Sequence, residues 1–159
     1  MQIRRFGQGD LVALGRLIHD TIDGCYTNVY PPRAVLFFRG FHSDEKIMQR
    51  DKDGLILLIK DESVLVGTGS ILGNEILGVF VLPQFQGRGY GKAVMCELEQ
   101  RAKAKGYLDV VLSVSVPSRK FYEGLGYEIL EKRSIDVGEG QYLDYWEAKK
   151  SLVDTRSSM

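Results

Sequence analysis

The sequence predicts an α+β domain built on a mixed sheet: an antiparallel meander, one parallel βαβ pair, and flanking helices. Three β-rich runs, GLILLIK, SVLVGTGSILG and NEILGVFVLP, follow one another between residues 54 and 83 with only short turns between them, the pattern of a meander. A run of alternate glycines at 87–91 then switches the apolar period from two to helical, and DVVLSVSV at 109–116 switches it back. Such a strand–helix–strand unit makes the third meander strand and the returning strand parallel neighbours.

The elements follow in order. MQIRRF suits a short first strand, and Leu11, Leu14, Leu17, Ile18 and Ile22 then recur at helical spacing, with Asp10 as N-cap. The pair Pro31-Pro32 opens a helix over 32–39, closed by a break at Gly40, and Ser43 before two acids opens another over 44–51. KDES at 60–63 and Gly73-Asn74 are hairpin turns, the latter offering two residues suited to positive φ. Val94, Met95, Leu98 and Ala102 form the stripe of a helix that Gly106 terminates. Pro117 opens a short helix through PSRKFYEG, and two closing strands, 127–137 and 141–152, are joined at 138–140. Residues 1–152 are expected to form one domain, and 153–159 a polar, frayed tail.

Composition narrows the function classes. The 159 residues are 44% hydrophobic, enough for one core. The 21 Lys and Arg balance 21 Asp and Glu, and no basic stripe interleaves with aromatics, so a nucleic-acid partner is not expected. The longest aliphatic run, residues 55–59, is far short of a membrane span, and no apolar stretch follows the charged start. Cys25 and Cys96 form neither a disulfide framework nor a zinc cluster, and no metal is expected. These features predict a cytoplasmic protein, with Cys96 a small buried filler of its helix.

Any anion site must therefore be local, and the run Gln86-Gly87-Arg88-Gly89-Tyr90-Gly91-Lys92 is the place for one. A triphosphate loop needs GxxxxGK with a following Ser or Thr; here the glycine spacing is one residue short and Ala93 stands at the hydroxyl position. The dinucleotide fingerprint GxGxxG also fails, because the spacing is GxGxG. A ligand-free turn explains one or two glycines. Three leave bare backbone N–H groups at a helix N-terminus, with Arg88 and Lys92 adding charge, which suits a pyrophosphate.

The stretch GVFVLPQFQGRGYGKAVM resembles the acetyl-CoA-binding motif of the GCN5-related N-acetyltransferase family, [Q/R]xxGx[G/A], matched by Gln86, Gly89 and Gly91. FYEGLGY at 121–127 is similar to that family's second signature, FYxxxGF, and the element order resembles the family's over nearly the whole chain. The resemblance implies that the backbone of Phe80 and Val81 holds the pantetheine arm where the third meander strand splays from its parallel neighbour. It implies that Gln86, Gly87, Arg88, Gly89, Tyr90, Gly91 and Lys92 form the pyrophosphate cradle. Gly78, a glycine in mid-strand, reads independently as a bulge near that point. A homodimer is also a family expectation. One departure is that Ser115 and Ser118 stand where Asn and Ala are common; Ser115 is retained as a cofactor-binding candidate.

Acetyl transfer from a thioester to an amine requires a neutral amine, a stabilised oxyanion and protonation of the departing thiolate. By resemblance Tyr122 is the general acid and the N–H near Val81 the oxyanion donor. Glu75, eleven residues before Gln86, stands at the offset of the catalytic glutamate in the family's histone acetyltransferases. Tyr122 as a packing tyrosine and Glu75 as a solvated acid beside a hairpin remain the alternatives. His19 reads as a polar-face residue and His42 as a loop residue. Asp20, Asp23, Tyr26 and Tyr30 fall where the family builds a wall of its acceptor cleft. The expectation is direct transfer in a ternary complex to a primary amine of a small molecule or peptide; the alternative is a non-catalytic acetyl-CoA sensor. The acceptor is set by loops around 24–33 and 133–141.

Overall fold

The computed structural model describes residues 1–153. The expected tail therefore lies, from residue 154 on, outside the described residues. Seven strands form one sheet: β1 (Gln2–Arg5), β2 (Leu55–Asp61), β3 (Val64–Leu72), β4 (Glu75–Val81), β5 (Asp109–Ser115), β6 (Glu128–Gly138) and β7 (Gln141–Ser151). Their spatial order is β1-β2-β3-β4-β5-β7-β6. Every neighbouring pair is antiparallel except β4 and β5.

Helices cover both faces. α4 (Tyr90–Ala104) and α5 (Arg119–Gly124) lie on one side, and α1 (Leu11–Tyr26), α2 (Pro32–Phe41) and α3 (Asp44–Asp53) on the other. The unbroken apolar run of β2 has this cause: Leu57 and Ile59 pack beneath α4 while Ile56 and Leu58 pack beneath α1. A strand buried on both faces has no polar alternation to show. β5 differs, since Val110, Leu112 and Val114 pack beneath α4 whereas Ser113 and Ser115 on the opposite face line a cavity.

Several local expectations are corrected. Asp10 stands at the N-cap position of α1, as expected, but its side chain makes no capping bond; its carboxylate accepts from the Gly7 amide at 2.9 Å and pairs with Arg4 at 2.7 Å, closing a 3₁₀ turn at Gln8–Asp10 that leads into the helix. α2 runs through Gly40 and ends at Phe41, with the chain leaving helical geometry at His42. Cys96 is exposed on the outer side of α4 rather than buried. Of the Gly73-Asn74 turn only Gly73 takes a positive φ, +58°, while the Asn74 side chain donates to the Asp109 carbonyl at 3.3 Å and carboxylate at 3.0 Å. Ser43 does cap α3, accepting from the Lys46 amide at 3.3 Å.

Candidate active site

The glycine run connects β4 to α4 through a 3₁₀ turn at Pro83–Phe85. Gly87 and Gly89 sit at φ +78° and +89°, where a side chain is strained, and no atom lies within 4 Å of where a Cβ would stand on either. Gly89 is the N-cap of α4, and the first amide to bond back into the helix is that of Ala93, to the Gly89 carbonyl at 3.0 Å. The amides of residues 90–92 are thus left at the open end of a helix dipole. Together with Gln86, Gly87 and Lys92 they border a cavity of about 340 Å³ that extends along Val79, Phe80 and Val81 to Tyr122.

Of the run only Arg88 does not line that cavity, and several side chains of the loop are engaged by the protein itself. The Gln86 amide donates to the Val81 carbonyl at 2.9 Å, tying the loop to the end of β4. The Arg88 guanidinium lies over the Phe85 ring at 5.3 Å, and the Tyr90 hydroxyl is hydrogen-bonded to Asp61. Gly91 leaves room for Phe121, whose ring stands 3.0 Å from the position of a Cβ there.

β4 and β5 share a single register pair, Glu75 with Val111, secured by the Val111 amide donating to the Asn74 carbonyl at 3.0 Å. Beyond it the strands diverge. Gly78, at φ +62°, is the expected bulge, and the register between β3 and β4 shifts there. Its consequence is a change of face. Ile76, Val79 and Val81 pack with the core beneath α4, whereas Phe80 packs with the core of α1 and α2. An uninterrupted strand would put Glu75 and Phe80 on opposite faces, since they stand an odd number of positions apart. The extra residue places them on the same one.

On that face opens a second cavity, of about 280 Å³. Glu75 and Phe80 line it from β4, Phe37, Phe38 and Phe41 from α2, and Tyr145 from β7. The two cavities share Tyr26, Val79, Phe80, Ser118 and Tyr122 as a common wall. Tyr122 is 7% exposed, and its hydroxyl has no hydrogen-bond partner among the described residues. Burial, reinforced by Tyr26, pushes its pKa above the ordinary tyrosine value, so the hydroxyl keeps its proton at neutral pH.

The tyrosines of α1 and its following loop brace this junction. The Tyr26 hydroxyl donates to Ser115 Oγ at 3.1 Å, and Ser115 lies 2.6 Å from Ser118 Oγ. Ser115 therefore faces the second cavity, not the first, with its hydroxyl engaged by protein partners. Tyr30 donates to the Asp144 carbonyl and accepts from the Val116 amide, both at 2.8 Å, and burial lifts its pKa to about 12. Asp23 is turned away, paired with Arg39 at 2.6 Å.

Sequence reasoning missed the corner between α2 and α3. His42, read as a loop residue, is 4% exposed and packs edge-on against Phe80 at 5.0 Å. The Arg50 guanidinium donates to its Nδ1 at 3.1 Å, which places the proton of the neutral ring on Nε2. Burial, then the Arg50 charge, lowers the His42 pKa to about 3; burial also lowers that of Arg50 to about 10, against the opposing pull of Glu75. His19 reaches the His42 carbonyl at 3.1 Å from the half-buried flank of α1. The available signal was the triplet Phe37, Phe38 and Phe41 at helical spacing just before a histidine. Among the described residues no group of three or more His, Cys, Asp or Glu is placed to hold a metal ion. No helix there is long and apolar enough to cross a membrane.

Comparison with known proteins bears on this geometry. Glucosamine 6-phosphate N-acetyltransferase of Trypanosoma brucei brucei is 38% identical over 80 residues, covering 43% of this chain and 54% of that protein. The chain thus spans about half the length of that curated relative. A GCN5-related N-acetyltransferase structure from Rhodopseudomonas palustris superposes with a TM-score of 0.86 at 22% identity, over 94% of each chain. The PaiA N-acetyltransferase of Thermoplasma acidophilum in complex with coenzyme A gives 0.77 at 23% identity, over 94% of this chain and 98% of that one. At such identities the likeness is one of fold. The model of the acetyltransferase (GNAT) family matches residues 16–127, a span running from α1 through the glycine loop and α5. The chain belongs to the acetyltransferase (GNAT) family.

Proposed function

We propose that the protein is an acetyl-CoA-dependent N-acetyltransferase that passes the acetyl group directly to a primary amine. The observation that carries this reading is the meeting of two cavities at the unpartnered hydroxyl of Tyr122. The first cavity fits the donor: bare amides of residues 90–92 and the open glycines 87 and 89 suit a pyrophosphate, and the diverging edge of β4 offers N–H and C=O groups to an amide-bearing arm. The presence of coenzyme A in the related PaiA structure supports the assignment.

Bound acetyl-CoA supplies the activated acyl carbon. Residues of the chain do the rest. Lys92 and the loop amides anchor the phosphate end, and the edge of β4 at Val81, which faces the gap, holds the arm, while the Phe80 backbone is directed at Thr68 of β3 and its ring lines the channel. The N–H near Val81 stabilises the charge that develops on the carbonyl oxygen as the amine nitrogen forms its bond. Glu75 takes the proton lost from the amine, directly or through water, and Tyr122 gives its proton to the sulfur as the carbon–sulfur bond breaks. Ser115 acts on the cofactor only indirectly, by fixing Tyr26 and Ser118 beside it. The catalytic unit is residues 1–152.

Free-thiol release from acetyl-CoA over a panel of amines tests the reading. Tyr122→Phe is expected to lower kcat by about 10²-fold or more, the usual scale of general acid catalysis, with acetyl-CoA affinity changed less than about twofold. An unchanged kcat would remove Tyr122 from the mechanism. Tight acetyl-CoA binding without thiol release on any amine would favour a sensor.

A further inference from the structure

We propose that the acceptor is a small primary amine carrying an aromatic ring, an arylalkylamine, selected by the outward side of α2. This deepens the acetyl-transfer reading and rests on it. The second cavity, about 280 Å³, lies just below the roughly 300–1,000 Å³ range of small-molecule sites and so suits a small acceptor. One wall is a pair of partly exposed rings, of which Phe41 also packs edge-on against His42 at 5.1 Å and lies under the Arg50 guanidinium at 6.0 Å. Phe37 and Phe41 stack on each other at 6.5 Å and 13°, yet remain 41% and 45% exposed. Phe38 between them does the packing, against Tyr26 at 4.7 Å and Tyr30 at 5.1 Å. Two large apolar rings held open beside a cavity, with Phe80 and Tyr145 across it, offer stacking and edge contacts to a third ring.

Charge makes the choice narrower. Among the described lining residues Glu75 is the one carboxylate, and none is Lys or Arg. A phosphate- or carboxylate-bearing acceptor would meet no lining Lys or Arg; Arg50, over the Phe41 ring at 6.0 Å, is engaged by His42 at 3.1 Å and by the Phe41 carbonyl at 3.4 Å. For a sugar, the hydroxyls of Tyr26, Ser115 and Ser118 are engaged with one another, which leaves Ser113, Tyr122 and Tyr145 on a wall that is otherwise mostly aromatic and aliphatic. A protonated amine is drawn both to Glu75 and to the faces of the rings. The nitrogen of such a molecule then points along β4 toward Tyr122 while its ring rests on α2.

The experiment is thiol release by the full chain at saturating acetyl-CoA with 2-phenylethylamine, propylamine, spermidine, glucosamine 6-phosphate and a lysine-containing peptide. The expected result is a kcat/KM for 2-phenylethylamine at least about tenfold above that for propylamine, the scale of one aromatic contact pair. Phe41→Ala and the gentler Phe37→Leu should each erode that ratio, while Leu36→Ala, on the same helix but outside the cavity, leaves it intact. Best turnover with glucosamine 6-phosphate, spermidine or the peptide overturns the inference and leaves the acetyl-transfer reading standing. No thiol release above the amine-free background with any of these amines overturns both.

Discussion

Glu75 and His42 show how far identity alone determines a residue's behaviour. If Glu75 takes the amine proton, Glu75→Gln should lower kcat/KM by about 10²-fold at pH 7, and the deficit should narrow as pH rises and the amine loses its proton unaided. A deficit constant across pH would make Glu75 a structural residue. His42 has its proton chemistry set by burial. Its folded pKa of about 3 lies below the ordinary 6.5, so the unfolded chain takes up a proton that the folded one refuses. Its contribution to stability is complete above pH 6.5 and drains away as pH falls toward 3. Urea midpoints measured between pH 7 and pH 4 should therefore fall with acid, and His42→Gln should flatten that slope; an identical slope would assign the acid sensitivity to other groups. Tyr122 was legible because it sits inside a seven-residue signature. His42 and Arg50 were not, because what joins them is the folding of α3 back along α2, and nothing in their local sequence states it.

At the scale of elements, two glycines can be separated by what surrounds them. Gly78→Ala meets both a positive φ and the Arg50 guanidinium, 2.8 Å from the new methyl, whereas Gly89→Ala meets only the φ. Both should cost about 1–3 kcal/mol of stability by chemical denaturation. Gly78→Ala should also reduce kcat, because the bulge sets Glu75 and Phe80 on one face, and Gly89→Ala should chiefly raise the KM for acetyl-CoA. A Gly78→Ala protein with normal kcat would show that the face change is dispensable. A glycine inside a strand pattern announces a bulge, which is why this one was readable; the side chains it would regroup became visible only once β4 had neighbours. The opposite failure occurred at Gly40, whose helix cost of about 1 kcal/mol is outweighed in place. Continuing α2 two residues past the expected end at 39 holds Phe41 about one helical turn from Phe37, where their rings stack.

For the whole molecule, the sequence specified the strands better than their arrangement. The hairpin of β6 and β7 could attach to β5 by either arm. Burial decides it: β7 contributes Leu143 and Ala148 to the two cores, whereas β6 carries Glu128, Glu131, Lys132 and Arg133 and is suited to an edge. Ligand occupancy should also be legible globally. Acetyl-CoA at about a hundredfold above its Kd should stabilise the protein by about 2.7 kcal/mol, read as a rise in Tm, and no rise would argue against a preformed donor cavity. The lone register pair between β4 and β5 has a further consequence for isotope exchange. β4 is central in the strand order but carries an edge along most of one side. Its amides should therefore fall into two alternating sets in deuterated buffer. Those directed at β3 exchange slowly, those directed at the gap exchange as fast as in an outermost strand, and acetyl-CoA should merge the two by supplying the missing partner.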